Sequence, residues 1–170
     1  MILFLDYDGV LHPDAAYLVN GRPELHADGE LFMWAPILRD ILQPYADLRI
    51  VLSTSWVRVL GFARARDYLP PELSYRVIGG TWHSAMRRHS EVSHRLDEGW
   101  FIAMSRYEEI ARYIARAGPR AASWLAVDDD ADGWDDGLRD RLVQTDGEVG
   151  LSSPGAQEEL RSKLRHLASK

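Results

Sequence analysis

Five short apolar runs alternate along the chain with stretches of helical periodicity. The first, residues 2–5 (Ile-Leu-Phe-Leu), is apolar at every position, as a strand buried on both faces requires. The second, residues 48–52, is interrupted only by Arg49, and residues 75–78, 123–127 and 142–143 are further short candidates. Between them apolar residues recur at three- and four-residue spacing. Trp34, Ile37, Leu38, Ile41, Leu42 and Tyr45 predict a helix over 32–46, with Pro36 in its first turn and Pro44 ending or kinking it. Val59, Leu60, Ala63 and Tyr68 predict another over 56–69, stopped by Pro70-Pro71. Residues 105–117 carry a capping-box pattern, Ser105 with Glu108, then the stripe Tyr107, Ile110, Ile114, Ala117 and a Gly118-Pro119 stop. Ser153 and Pro154 open a last helix over 155–167, with Leu160, Leu164 and Leu167 inward.

Alternating strand and helix predicts one α/β domain, residues 1–170, with a central, mostly parallel sheet. Two stretches depart from the alternation. Residues 12–30 are mixed, and Tyr17, Leu18 and Val19 precede Asn20-Gly21, a hairpin-turn signal, so a flap or small hairpin is expected near the first strand. Residues 61–100 form a small insertion region whose later part is polar and irregular, with His83, Arg87, Arg88, His89, His94 and Arg95. That part reads either as a solvated connection or as a substrate-facing loop. His89 and His94 are five apart, a poor helical spacing for zinc.

The polar residues that matter stand at the ends of the apolar runs. Asp6 and Asp8 follow the first, with Gly9 allowing a sharp turn and a close ligand approach. Ser53 and Thr54 follow the second, and Asp128 and Asp129 follow the fourth. In open α/β sheets the ligand crevice lies outside the carboxyl ends of the strands. Arg106 opens the helix that leads into the fourth run, where the helix dipole disfavours a cation. That helix runs antiparallel to the strand it feeds, so Arg106 is expected at the same edge as Asp6 and Asp8. Either Glu108 and Glu109 offset its charge, or the position serves an anion.

Composition narrows the classes. The chain has 170 residues, a net charge of −6 and no cysteine. A disulfide framework, a thiolate metal site and a cysteine nucleophile are therefore excluded. No run approaches the roughly 20 apolar residues of a membrane span, and no signal segment precedes residue 2, so a cytoplasmic protein is the expectation. The negative field weighs against general nucleic-acid binding, although a local basic patch remains compatible with it.

Converging carboxylates repel one another unless a hard cation joins them. Mg²⁺ takes oxygen ligands, typically one or two carboxylates with waters and a substrate phosphate. A carboxylate also attacks phosphorus, giving an aspartyl-phosphate. A hydroxyl and a cation hold the phosphoryl oxygens, and a second carboxyl protonates the leaving alcohol. The set Asp6, Asp8, Ser53 or Thr54, Arg106, Asp128 and Asp129 contains every part of such a reaction.

These residues resemble the haloacid dehalogenase-like (HAD) superfamily. Leu3-Phe4-Leu5-Asp6-Tyr7-Asp8-Gly9-Val10-Leu11 is similar to its first motif, an apolar strand followed by Asp-x-Asp-Gly. Val51-Leu52-Ser53-Thr54-Ser55 resembles the second, and Leu125-Ala126-Val127-Asp128-Asp129 the fourth. The resemblance implies a Rossmann-like three-layer sandwich with a minimal cap or none. It implies Asp6 as nucleophile and Asp8 as general acid/base. It also implies Mg²⁺ bound by the Asp6 side chain, the Asp8 backbone carbonyl and Asp128, with Asp129 a further ligand to metal or water. The third motif usually holds Lys; here Arg106 is the natural substitute, with Arg87 or Arg88 as alternatives, and Thr54 precedes Ser53 as the second-motif hydroxyl. Leu142-Val143, Gly150-Leu151 and the terminal helix resemble the subgroup of HAD domains in RNA-repair proteins.

The acid at position 8 favours phosphate over carbon–halogen chemistry, and insertions too short for a full cap imply an open site. In this superfamily an open site goes with large substrates such as a protein or a nucleic-acid end. The leading expectation is a Mg²⁺-dependent phosphatase acting on a phosphorylated substrate. The alternatives are a nucleic-acid end-processing phosphatase, for which Trp82 and Trp100 offer stacking surfaces beside the basic stretch, and a catalytically inactive HAD-like binding module.

Overall fold

In the computed structural model of the chain, which describes residues 1–82 and 104–169, five parallel strands form one sheet. They are β1 (Ile2–Leu5), β4 (Arg49–Leu52), β5 (Val77–Gly80), β6 (Trp124–Asp128) and β7 (Leu142–Gln144), in the order β5-β4-β1-β6-β7. β2 (Ala16–Val19) and β3 (Arg22–Leu25) form a separate antiparallel hairpin. Asn20 and Gly21 both have positive φ there, 50° and 76°, as a two-residue hairpin turn of the primed type demands. The helices are α1 (Ala35–Leu42), α2 (Ser55–Leu60), α3 (Phe62–Asp67), α4 (Pro71–Ser74), α5 (Arg106–Ala117) and α6 (Pro154–Ala168).

β1 is central, and alternate residues feed two cores. Leu3, Leu5 and Tyr7 face a large core filled by Leu38, Ile41 and Leu42 of α1, by Trp56 and Val57 of α2, and by Leu160 and Leu164 of α6. Ile2 and Phe4 face a smaller core with Ile110 of α5, Trp124 and Trp134. Phe4 meets Tyr113 and Trp124 edge-to-face at 5.5 and 5.8 Å. Helices therefore cover both faces, the arrangement of a HAD-like Rossmannoid core. Among the described residues no helix is long and apolar enough to cross a membrane.

The helical boundaries differ from the periodicity in instructive ways. The helix expected over 56–69 is two short ones, because Gly61 leaves the helical region at φ 86° and divides α2 from α3. Pro70-Pro71 does not simply stop the chain. Pro71 starts α4, since a proline at a first helical position loses no bonded N–H. This moves β5 two residues beyond the expected strand and leaves Tyr75 outside it, 87% exposed. α1 begins later than expected, at Ala35, because Phe32 takes a left-handed φ of 63°. The polar stretch with Arg87, Arg88, His89, His94, Arg95 and Trp100 lies outside the described residues.

Candidate active site

Strand register builds the site. Leu5 lies level with Leu52 on one side and with Val127 on the other. The next residue of each strand, Asp6, Ser53 and Asp128, therefore stands in one row at the carboxyl edge. The backbone bonds Asp6 N–H to Val127 C=O at 3.1 Å and Ser53 N–H to Leu5 C=O at 2.8 Å hold that row. Alternation along the strands then chooses the face. Asp6 continues the side of Ile2 and Phe4, and Asp128 that of Trp124 and Ala126, so both acids turn toward the face that α5 covers. Arg106, the first residue of α5, meets them there.

The Arg106 guanidinium reaches Asp6 Oδ2 at 3.4 Å through Nη2 and Asp128 Oδ2 at 3.0 Å through Nε. The second contact is an ion pair without an aligned hydrogen bond, so Nε and Asp128 Oδ2 are buried with no directional partner. Glu109, one turn along α5, lies 3.9 Å from Arg106 and 3.5 Å from Arg58, and it accepts the Thr81 hydroxyl proton at 3.1 Å. The cation at the start of α5 is thus matched by buried carboxylates from two strands and from its own helix. The capping box that holds this helix end is also present, Glu108 N–H to Ser105 Oγ and Ser105 N–H to Glu108 Oε2.

Burial dominates the electrostatics. It pushes the Asp6 carboxyl up against the opposing pull of Arg106 and the Tyr7 N–H. It pushes Asp128 well up as well, with Asp6 adding to the rise. Asp129, half-buried, is pushed up to about 6 by burial, then by Asp6 and Asp14. Burial alone would lower the Arg106 guanidinium, but Asp6, Asp128 and Glu109 outweigh it and hold the charge in place.

Asp6, Asp128 and Asp129 each offer an oxygen within 4.8 Å of the others, a group able to coordinate a divalent cation. The donors are all hard oxygens, and Asp128 Oδ2, ion-paired with Arg106 but accepting no hydrogen bond, is a buried acceptor that a cation would satisfy. Gly9 makes room for Asp129: its φ is 64°, and a Cβ there would lie 2.3 Å from Asp129 Oδ2. The turn it occupies is pinned by Thr145, whose hydroxyl donates to the Gly9 carbonyl at 2.7 Å.

Asp8 has different surroundings. Its Oδ2 accepts from Trp56 Nε1 at 2.9 Å, and its Oδ1 lies 3.1 Å from His12 Nε2. His12 is fully buried, and its Nδ1 accepts the Phe32 N–H at 3.3 Å. That acceptor role assigns the ring proton to Nε2, so His12 donates to Asp8. The left-handed φ of Phe32 aims its N–H at the ring, a conformation that costs about 1–3 kcal/mol and needs its surroundings to hold it. Contacts of the Phe32 ring with Tyr7, His12, Trp56 and Tyr68 supply that hold.

The hydroxyls divide. Thr54 caps α2, accepting the Trp56 N–H at 3.4 Å, and its side chain also favours the charged form of Asp6. Ser53 Oγ is buried and without a partner. The structure therefore gathers Asp6, Asp8, Ser53, Thr54, Arg106, Asp128 and Asp129 at one sheet edge, while Arg87 and Arg88 fall outside the described residues. Sequence reasoning missed His12, Trp56 and Glu109 as members. The spacing Asp8–His12 was a legible signal; the partnership of Trp56 with Asp8, 48 residues apart, was not.

Residues 2–156 match the family described as HAD domain in Swiss Army Knife RNA repair proteins. No curated protein and no solved structure matches the chain. The matched span contains every residue of the acid cluster, and the fold beneath it is consistent with a HAD-like Rossmannoid core. The chain belongs to the HAD superfamily of hydrolases, phosphatase-like in its acid cluster, and within it to the HAD domains of Swiss Army Knife RNA repair proteins.

Proposed function

We propose that this protein is a Mg²⁺-dependent phosphatase that removes a terminal phosphate from a nucleic-acid end through an aspartyl-phosphate on Asp6. The support lies in one contrast: Asp6 shares Arg106 with Asp128 on the α5 side, whereas Asp8 is held apart by two N–H donors. Two carboxylates two residues apart thus have different environments, which is what separate nucleophile and acid/base roles need. The family's occurrence in RNA repair proteins favours a nucleic-acid end over other phosphoesters. A net charge of −6 opposes broad polyanion binding but not recognition of one terminus. In this reading residues 1–170 act as one HAD-like unit, with residues 12–30 as a flap and 61–100 as a small insertion.

Asp6 attacks phosphorus. Arg106, with Thr54 or Ser53, binds the non-bridging oxygens as their charge rises. Asp8 donates a proton to the leaving alcohol, then takes one from the water that hydrolyses the acyl phosphate. A divalent cation held by Asp6, the Asp8 backbone carbonyl, Asp128 and Asp129 would neutralise the acids and the phosphate together. Oligonucleotides labelled at a 3′- or 5′-phosphate test the reading directly. Phosphate release with Mg²⁺ and none with chelator is expected; no release from any oligonucleotide or small phosphoester refutes it.

His12→Ala is expected to lower kcat by roughly tenfold, because Asp8 loses a donor that positions it. The kcat-versus-pH profile should move, whereas His12→Gln, which keeps an N–H, should restore most of the rate. The Ala variant also strands the buried Phe32 N–H and loses about 1–3 kcal/mol of stability, read by urea unfolding.

Metal binding should be pH-dependent. Burial and the neighbouring acids push Asp129 up to about 6, so the folded chain without metal keeps its proton to a higher pH than the unfolded chain does. The stability this contributes is present below pH 3.8 and is lost as pH rises through about 6. Added Mg²⁺ should reverse that loss. The rise in Tm with Mg²⁺ is expected to be largest near pH 8 and to shrink below pH 6, measured by thermal scanning. Asp129→Asn should flatten this dependence.

A further inference from the structure

A proton given by Asp8 must reach the oxygen that leaves phosphorus, so whatever that oxygen carries lies against Asp8. A cleft of about 110 Å³ is found there, between the β2–β3 hairpin and α2, with Asp8 in its wall. Its other walls include Tyr17, Leu18, Pro23, Trp56 and Val59. Asp8 is the one charged side chain among the described lining residues. Tyr17, Leu18 and Val59 are 57%, 51% and 59% exposed, an unusual concentration of large apolar side chains left open to water at one rim.

The cleft wall next to the chemistry is rigid. The Trp56 indole is tied to Asp8 through Nε1 and packs edge-to-face on Tyr7, Phe32 and Tyr68. On the hairpin side the Tyr17 ring rests on His26, with centroids 4.8 Å apart. Charge sorts the substrate's parts. Arg106 and, through Glu109, Arg58 sit toward the phosphate position, while among the described residues the cleft walls offer no cation and one carboxylate. A phosphodiester is therefore disfavoured in the cleft, and a flat uncharged ring is favoured.

We propose that this cleft takes the nucleobase of the terminal nucleotide, against Tyr17, Pro23 and Val59, while the sugar oxygen that bears the phosphate meets Asp8. The assignment rests on the phosphatase reading above, and it adds the part of the substrate that the site reads. Stacking a base on an aromatic wall is typically worth about tenfold or more in affinity. It also tolerates all four bases, because every base has a π-face.

The test compares oligoribonucleotides bearing a 3′- or 5′-phosphate with the same oligomers made abasic at the phosphorylated nucleotide. Two readouts are taken with the full chain and Mg²⁺: kcat/KM, and binding to the Asp6→Asn protein by fluorescence anisotropy. Removing the terminal base is expected to lower both by roughly tenfold, at whichever end is the substrate. Tyr17→Ala and Val59→Glu, both on the exposed rim, are expected to shrink that preference to within about twofold. Equal handling of base-bearing and abasic ends overturns the proposal, as does a preference that survives both substitutions. A phosphopeptide bound and cleaved better than any oligonucleotide also overturns it. If no phosphoester is hydrolysed, the phosphatase reading fails, and the anisotropy comparison still decides the cleft.

Discussion

Asp6→Asn is expected to abolish phosphoester turnover, by roughly 10⁴-fold or more, while leaving the fold intact. The amide cannot attack phosphorus and brings no negative charge to a metal. The fold should tolerate it because Asp6 is a cost in the chain without metal. Burial raises its pKa, and it adds to the rise of both Asp128 and Asp129. The amide oxygen still accepts the Tyr7 N–H, bonded now at 2.8 Å, and Arg106 keeps Asp128. Circular dichroism and Tm should be near those of the parent protein, and the gain in Tm with Mg²⁺ should fall. Undiminished turnover in a clean Asp6→Asn preparation would rule out the aspartyl-phosphate mechanism.

Arg106→Ala is expected to be the most destabilising change at the site. It leaves Asp6, Glu109 and Asp128 buried without the cation they share, at exposures of 3%, 4% and 1%. Breaking a buried ion pair from one side typically costs about 3–5 kcal/mol. Two consequences separate this cause from mere loss of packing. The Asp6 and Asp128 carboxyls, which Arg106 now pulls down, should rise further, so the loss of stability is expected to be smaller at pH 5 than at pH 8. Mg²⁺ should also restore more stability to the variant than it adds to the parent, because it replaces the missing positive charge. Arg106→Lys keeps the charge and supplies the residue usual in the superfamily's third motif, so it should retain the fold and measurable turnover. Urea unfolding at the two pH values, with and without Mg²⁺, checks all of this; a loss independent of pH and of metal would show that the guanidinium acts only by filling space.

The residues of the candidate site were legible in the sequence to the extent that they sit at element ends. Asp6 and Asp128 directly follow or end short apolar runs, Thr54 precedes a helix, and Arg106 starts one with a strong capping signal. Such positions have local signatures, because a strand buried on both faces must be apolar throughout and a helix N-terminus needs an acceptor. Alternation within β1 even chooses the face on which Asp6 lies. The partners of Asp8 had no such signature. Trp56 reads only as the first residue of a helix, and His12 as part of a flap. Both become Asp8 donors only because α2 and the turn after β1 pack on the same side of the sheet. Glu109 reads only as one of two glutamates that could offset Arg106; its burial follows because α5 lies with that side against Thr81 and Arg58.

By itself the sequence determined the strand–helix alternation, the row of acids and hydroxyls at strand ends, and the family those motifs resemble. These follow from period, hydropathy and short-range stereochemistry, all of which act within a few residues. Only the tertiary structure decided which acids share a cation, which one stands apart with His12 and Trp56, and that an apolar cleft opens beside it. Those outcomes depend on the register of β4, β1 and β6 and on the seating of α2 and α5 against the sheet. Such contacts join residues 48 to 100 positions apart, as in the bonds of Trp56 to Asp8 and Arg106 to Asp6, and no local pattern encodes a distance of that kind.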